Sequence, residues 1–155
     1  MQYPSKTNKF LLDHAQLLKN SYRSLLTKEL IRNSFSAEQF AEQLFNAPFA
    51  IVSHNTDSDP IFNYANLKAL ELFELSWEDL IKLPSKFSAE PVNQAEREKL
   101  LSEVTNKGYI DHYEGIRISR TGKRFQIKNA VVWNLMDTEG NYKGQAARFE
   151  EWEFI

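Results

Sequence analysis

The chain has 155 residues, 42% apolar and 26% charged, the balance of a globular protein and neither of a disordered chain nor of a membrane-spanning one. A formal charge of −2 supplies no basic field for a phosphate backbone, and no run approaches the ~20 apolar residues that span a bilayer, so neither nucleic acid nor membrane is expected as a partner. The absence of cysteine excludes disulfides, thiolate metal sites, thiol nucleophiles and cysteinyl cofactor adducts, and the opening MQYPSK lacks the apolar stretch of a secretory signal, which predicts a cytoplasmic protein.

Residues 8–31 bring Phe10, Leu11, Leu17, Leu18, Leu25, Leu26 and Leu30 to helical spacing with no proline or glycine among them. One long amphipathic helix is predicted, with 21–24 as the place where it would break. After the polar turn 32–36, Ser36-Ala37-Glu38-Gln39 forms a capping box for a second helix that runs to 46 and buries Phe40, Leu44 and Phe45. Residues 1–35 are thus expected as an N-terminal helical extension and 36–155 as the domain proper. The front helices either cover the domain's own sheet or pair with a second copy. The cover is favoured, because an amphipathic face must be buried and its own domain is nearest.

Residues 49–53 form a short apolar strand, and the dense turn 55–60 joins it to a second strand, 60–64, as an antiparallel hairpin with Pro60 at the tolerant first position. Ala65-Asn66 passes directly into a helix in which Leu67, Leu70 and Phe73, with Ala69 and Leu72, share one face. Ser76-Trp77-Glu78-Asp79 then caps another short helix, so strand and helices form a concave wall. Beyond a proline-bounded loop, 84–91, a helix is predicted over 94–106 with Asn93 or a neighbour as its cap and Gly108 ending it. Leu100, Leu101 and Val104 face inward there, and Arg97, Glu98, Lys99 and Glu103 face water. Strands 109–119 and 124–136 follow, joined by the turn Arg120-Thr121-Gly122-Lys123, and a last strand covers 145–152. Alternation puts Phe125, Ile127, Val131, Trp133 and Leu135 on one face of the second of these. The prediction is an α+β domain with a five-stranded antiparallel sheet, helices on one face and two helices in front.

This order resembles the PAS fold: Pro60-Ile61-Phe62-Asn63-Tyr64-Ala65-Asn66 looks like that family's second strand and helix entry, and Ser76-Trp77-Glu78-Asp79-Leu80-Ile81 like its S-x-E-E-L-I helix start. A narrower likeness is to the MEKHLA domain, a PAS-like module of bacterial proteins and of plant class III homeodomain-leucine zipper transcription factors. It is carried by Asp59 and the strand just quoted with Ala69-Leu70-Glu71-Leu72-Phe73, Leu83-Pro84-Ser85, Gly108-Tyr109-Ile110, Gly115-Ile116-Arg117-Ile118-Ser119, Gly122-Lys123-Arg124-Phe125, Val132-Trp133-Asn134-Leu135 and Gly144-Gln145-Ala146-Ala147. These segments cover about 44–152. The resemblance implies a sensory module that binds a small molecule between sheet and helices, or pairs with partners through the sheet. With no output domain after Ile155, the signal is expected to leave through a non-covalent partner or a homodimer built on the N-terminal helices or the sheet.

The candidate pocket residues are Tyr64, Asn66, Leu70, Phe73, Trp77, Tyr113, Arg117 and Trp133. Asn66 has two readings, a ligand contact or a helix cap that ties the turn, and cap preference favours the second. The aromatic residues are either core or the walls of a pocket; Tyr64, Tyr113 and Trp133 carry donors that need partners when buried and are the better pocket candidates. Alternation groups Tyr109, Asp111, Tyr113, Gly115 and Arg117 on one unusually polar face, either exposed or a cavity wall, with exposure expected. If Arg117 faces the helices it needs an anion: Glu114, Asp111 or a ligand carboxylate.

His14, His54 and His112 are too scattered for a metal signature, no histidine in 94–106 supports haem, and flavin–cysteine photochemistry is excluded, although non-covalent flavin stays open. No cofactor is identified. Glu71, Glu74, Glu78 and Asp79 belong to solvated helix faces and no nucleophile elbow or phosphate loop is present, so no enzyme is expected. The alternatives to a sensor are a ligand-free interaction module and, behind it, a small α+β enzyme.

Overall fold

A computed structural model describes residues 2–32 and 35–155; Asn33 and Ser34, inside the predicted turn, lie outside the described residues. The elements in chain order are α1 (Leu12–Leu26), α2 (Ala37–Phe45), β1 (Ala50–His54), β2 (Phe62–Ala65), α3 (Leu67–Phe73), α4 (Trp77–Leu80), α5 (Pro91–Lys107), β3 (Tyr109–Ile118), β4 (Arg124–Met136), β5 (Tyr142–Phe149) and β6 (Glu151–Phe154), with short 3₁₀ turns at Lys6–Asn8 and Ser85–Ser88. All strand pairs are antiparallel and the sheet order is β2-β1-β5-β4-β3. The predicted last strand is two strands: β5 pairs with β1 and β4, and β6, after Glu150, continues alongside β4 from Phe125 to Lys128.

Local chemistry fixes most boundaries. Ser36 and Gln39 form the reciprocal capping box at α2, and the Ser76 hydroxyl accepts from the Asp79 N–H at α4. α1 begins four residues later than predicted, because Lys9, Phe10 and Leu11 are all left-handed, with φ of 55, 53 and 55°. The turn they make is closed by Phe10 N–H donating to the Ser5 carbonyl at 2.8 Å. Thr27, also left-handed, ends the helix at Leu26, five residues short of the predicted Ile31. No break occurs at 21–24. Ser21 instead turns its hydroxyl to β4, donating to the Met136 carbonyl (3.1 Å) and accepting from its N–H (2.9 Å). α5 begins at Pro91, which takes the first helical position where its missing N–H costs nothing, so Asn93 is inside the helix rather than its cap.

Both sheet faces are covered. α3 and α5 pack on one, while α1 lies across β4 on the other, with Tyr22 edge-on to Trp133 at 5.0 Å and Ala15 and Leu18 fully buried. The front helix is therefore a cover on its own sheet.

The alternation predicted for β3 and β4 is broken at one place. His112 and Asn129 adopt left-handed φ of 54 and 52°, and the β3–β4 register shifts there. Each bulge reverses the in–out phase of its strand. On β4, Phe125, Ile127, Ala130, Val132 and Asn134 consequently face α3 and α5, while Val131, Trp133 and Leu135 face α1, so the five apolar residues predicted for one face are divided between two. On β3, Tyr113, Gly115 and Arg117 stand opposite Ala130, Ile127 and Phe125 and share their helix-facing side, whereas Tyr109, opposite Trp133, turns the other way.

Candidate functional site

Between the sheet and α3 and α5 the core leaves a cavity of ≈ 60 Å³. Its walls are mostly apolar, with Val52, Phe73, Leu100, Ile127, Val132 and Phe149 among them, and the polar residues that line it include Arg97 from α5, Tyr113 and Arg117 from β3, His54 from β1 and Gln145 from β5. Arg97 and Arg117 are each only 7% exposed.

Each polar group has a definite anchor. Arg97 Nη2 donates to Ser85 Oγ at 2.6 Å. Burial, helped by the like charge of Arg117, brings its pKa down to about 10, which leaves it charged at neutral pH. Arg117 donates from Nη1 to the Ile116 carbonyl (2.9 Å) and from Nη2 to the Tyr113 hydroxyl (3.1 Å), and that hydroxyl donates to Glu96 (2.9 Å). Burial pushes the Tyr113 pKa up, with Arg117 opposing. Gln145 turns its amide N–H₂ toward Leu101, Thr105 and Asn134, each at 3.1 Å. Burial lowers the His54 pKa, and Arg97 adds to this against the Asn55 and Gln145 contacts that favour the charged ring. Its Nδ1 lies 3.0 Å from the Asn55 carbonyl, which makes Nδ1–H the donor and Nε2 the acceptor of the neutral ring.

Gly115 makes this arrangement sterically possible. A Cβ there would run into the Tyr113 hydroxyl and lie 2.7 Å from Tyr113 Cζ and 2.9 Å from Arg117 Nη1. Both side chains fold back over the bare glycine backbone.

Of the sequence candidates, Phe73, Tyr113 and Arg117 line the cavity. Arg117 points to the helices, and of the face expected to be exposed the part from Tyr113 to Arg117 is a cavity wall, because the bulge at His112 resets the alternation. Neither Asp111 nor Glu114 pairs with Arg117. The other five candidates sit elsewhere. Asn66 is fully buried at the head of α3, bonded to backbone on four sides. Tyr64 packs between His14 (5.3 Å) and Trp77 (6.0 Å), and Trp133 lies under α1. Leu70 and Trp77 line an open groove on the outer side of α3 and α4 instead.

Arg97, His54 and Gln145 complete the site. Arg97 was expected to face water, yet its spacing to Leu100 and Val104, three and seven residues on, puts it on the inward stripe of α5. That spacing is the signal by which sequence alone reveals it. No carboxylate lines the cavity, and among the described residues no cluster of His, Asp or Glu is arranged to hold a metal ion. The cavity thus presents cationic and hydrogen-bonding groups set in an apolar wall.

Comparison with known proteins agrees with this architecture. The PAS domain of a protein from Colwellia psychrerythraea superposes with a TM-score of 0.63 at 18% identity, over 76% of this chain and 95% of that one. An RNA-binding light-oxygen-voltage receptor gives 0.62 at 16% identity, over 78% of this chain and 34% of that one. These likenesses establish a PAS-type fold. In sequence, the chain is similar to the homeobox-leucine zipper proteins HOX9 of Oryza sativa (26% identical over 145 residues, 91% of this chain) and ATHB-14 of Arabidopsis thaliana (26% over 125 residues, 77% of this chain). It spans only 17% and 14% of their lengths. The MEKHLA domain model matches residues 12–154, from the first residue of α1 to the last of β6. The chain belongs to the MEKHLA domain family.

Proposed function

We propose that this chain is a cytoplasmic, non-enzymatic sensory module that takes a small molecule into the cavity between its sheet and helices and passes the change to a protein partner or a second copy. The observation that carries this is the convergence of Arg97, Tyr113, Arg117, His54 and Gln145 on one apolar-walled space, the pattern of a binding site rather than of plain core. At ≈ 60 Å³ the space is far below the roughly 300 Å³ at which drug-sized sites begin, so the ligand is small, or its entry moves α5. Movement of α5 is the natural output, since that helix supplies Arg97 and meets the sheet through Asn134 and Gln145. The division of labour is then between an N-terminal extension, residues 1–35, whose α1 covers the far face of the sheet, and the domain of residues 36–155, which senses.

Native mass spectrometry of the protein taken directly from cells tests this. A bound small molecule, released on denaturation and absent from an Ala147→Leu variant whose added methylenes fill the cavity, is the expected result. Ligand-free protein from every growth condition, with no melting-temperature shift across a metabolite panel, would favour the ligand-free interaction module instead.

A further inference from the structure

The geometry points to a short-chain carboxylate as the ligand, with its charged end between Arg97 and Arg117. This rests on the cavity being a ligand site, and adds the chemical class. The guanidinium groups of two buried arginines, each residue 7% exposed, enter the same space from opposite walls, one on α5 and one on β3. Burial of a cation is stable where an anion accompanies it, and here the protein supplies none directly. Arg97 has the neutral Ser85 hydroxyl, and Arg117 has a backbone carbonyl and the Tyr113 hydroxyl. Among the described residues no carboxylate comes within 4.0 Å of either; Glu96 reaches Arg117 only through the Tyr113 hydroxyl that both of them bond. The contrast with Arg124 is instructive: on the surface, where pairing is worth least, that arginine holds Glu90 through two bonds of 2.6 and 3.0 Å. The cations that most need an anion are those with none in direct contact.

The remaining walls choose among anions. A planar carboxylate fits the fork of a guanidinium, and its hydrocarbon tail would lie against Leu100, Ile127, Val132 and Phe149. Phosphate brings more charge and nothing to occupy that apolar wall. The volume of ≈ 60 Å³ holds about four to six water-sized groups, the scale of propionate or butyrate rather than of a ring system.

Isothermal titration of the full chain with sodium butyrate, butyramide and inorganic phosphate tests the assignment. Butyrate is expected to bind at least tenfold more tightly than the other two. Arg117→Met should abolish that binding, and Arg97→Lys, which keeps the charge and loses the fork, should weaken it severalfold. Equal binding of butyramide would overturn the anion assignment while leaving the cavity a ligand site. Tighter binding of phosphate would overturn the carboxylate class, and silence from all three would overturn the proposal, with the native mass measurement then deciding whether the cavity is a site at all. Because the three ligands are compared on the unaltered chain, the test stands even if a variant fails to fold.

Discussion

Asn66 joins three segments through four hydrogen bonds of one side chain. Its Oδ1 accepts from the N–H groups of Ile51 and Ala69, both at 3.1 Å, and its Nδ2 donates to the carbonyls of Leu44 (3.2 Å) and Phe49 (2.7 Å). The end of α2, the start of β1 and the head of α3 are fixed together by an amide that never sees solvent. Asn66→Ala leaves several of these buried groups unpaired, at about 1–3 kcal/mol each, and a total loss of about 3 kcal/mol or more is expected in urea unfolding. A loss below about 1 kcal/mol would show that the backbone holds this joint unaided. His14 makes a second prediction at this scale. It stacks on Tyr64, sits with Nε2 2.9 Å from Ser53 Oγ, and has its pKa lowered by burial from 6.5 to about 4. Between those values the unfolded chain binds the proton and the folded chain does not, so stability is full above pH 6.5 and falls as pH drops toward 4, by about 3 kcal/mol. His54, lowered in the same direction, adds to the slope. Denaturation at a series of pH values should show that decline, partly flattened in His14→Phe; an unchanged slope would mean that the ring is not held neutral.

At the scale of elements, β3 and its bulge decide where the site lies. Gly115→Ala forces a methyl group into the space of Tyr113 and Arg117, with a cost of about 1–3 kcal/mol and loss of butyrate binding as the expected results. Equilibrium unfolding and titration check these separately, and unchanged values would mean that the two side chains lie elsewhere in solution. The elements themselves are legible in sequence wherever their signals are local: the boxes and caps at Ser36, Asn66 and Ser76, Gly108 at the end of α5, and the hairpin signals all correspond to what forms. The bulges are not legible, because a left-handed φ at His112 and Asn129 has no glycine to announce it and arises from how β3 and β4 fit each other. That single feature moves Tyr113 and Arg117 from an expected surface to a cavity wall and splits the apolar set of β4 between two faces. Arg97 was hidden for a different reason. Arginine on a helix ordinarily belongs to the solvated face, and only its spacing to Leu100 and Val104 says otherwise.

For the whole molecule, the sheet is a two-sided partition. α1 closes one side through Tyr22 and Ser21, and no helix of the described residues is long and apolar enough to cross a membrane. The other side holds the cavity, roofed by α5. On the proposed function, a ligand entering there would act on a helix that is tied to the sheet through side-chain bonds from Asn134 and Gln145 to its backbone, and its effect would be transmitted as a shift of one element over a fixed sheet. The most direct test is to follow the guanidinium Nε–H signals of Arg97 and Arg117 in ¹H–¹⁵N spectra while butyrate is added. Both signals should move together, saturably, along with backbone amides of α5 and β3. Saturation that leaves the two guanidinium signals in place, or shifts confined to the outer groove of Leu70 and Trp77, would contradict the account.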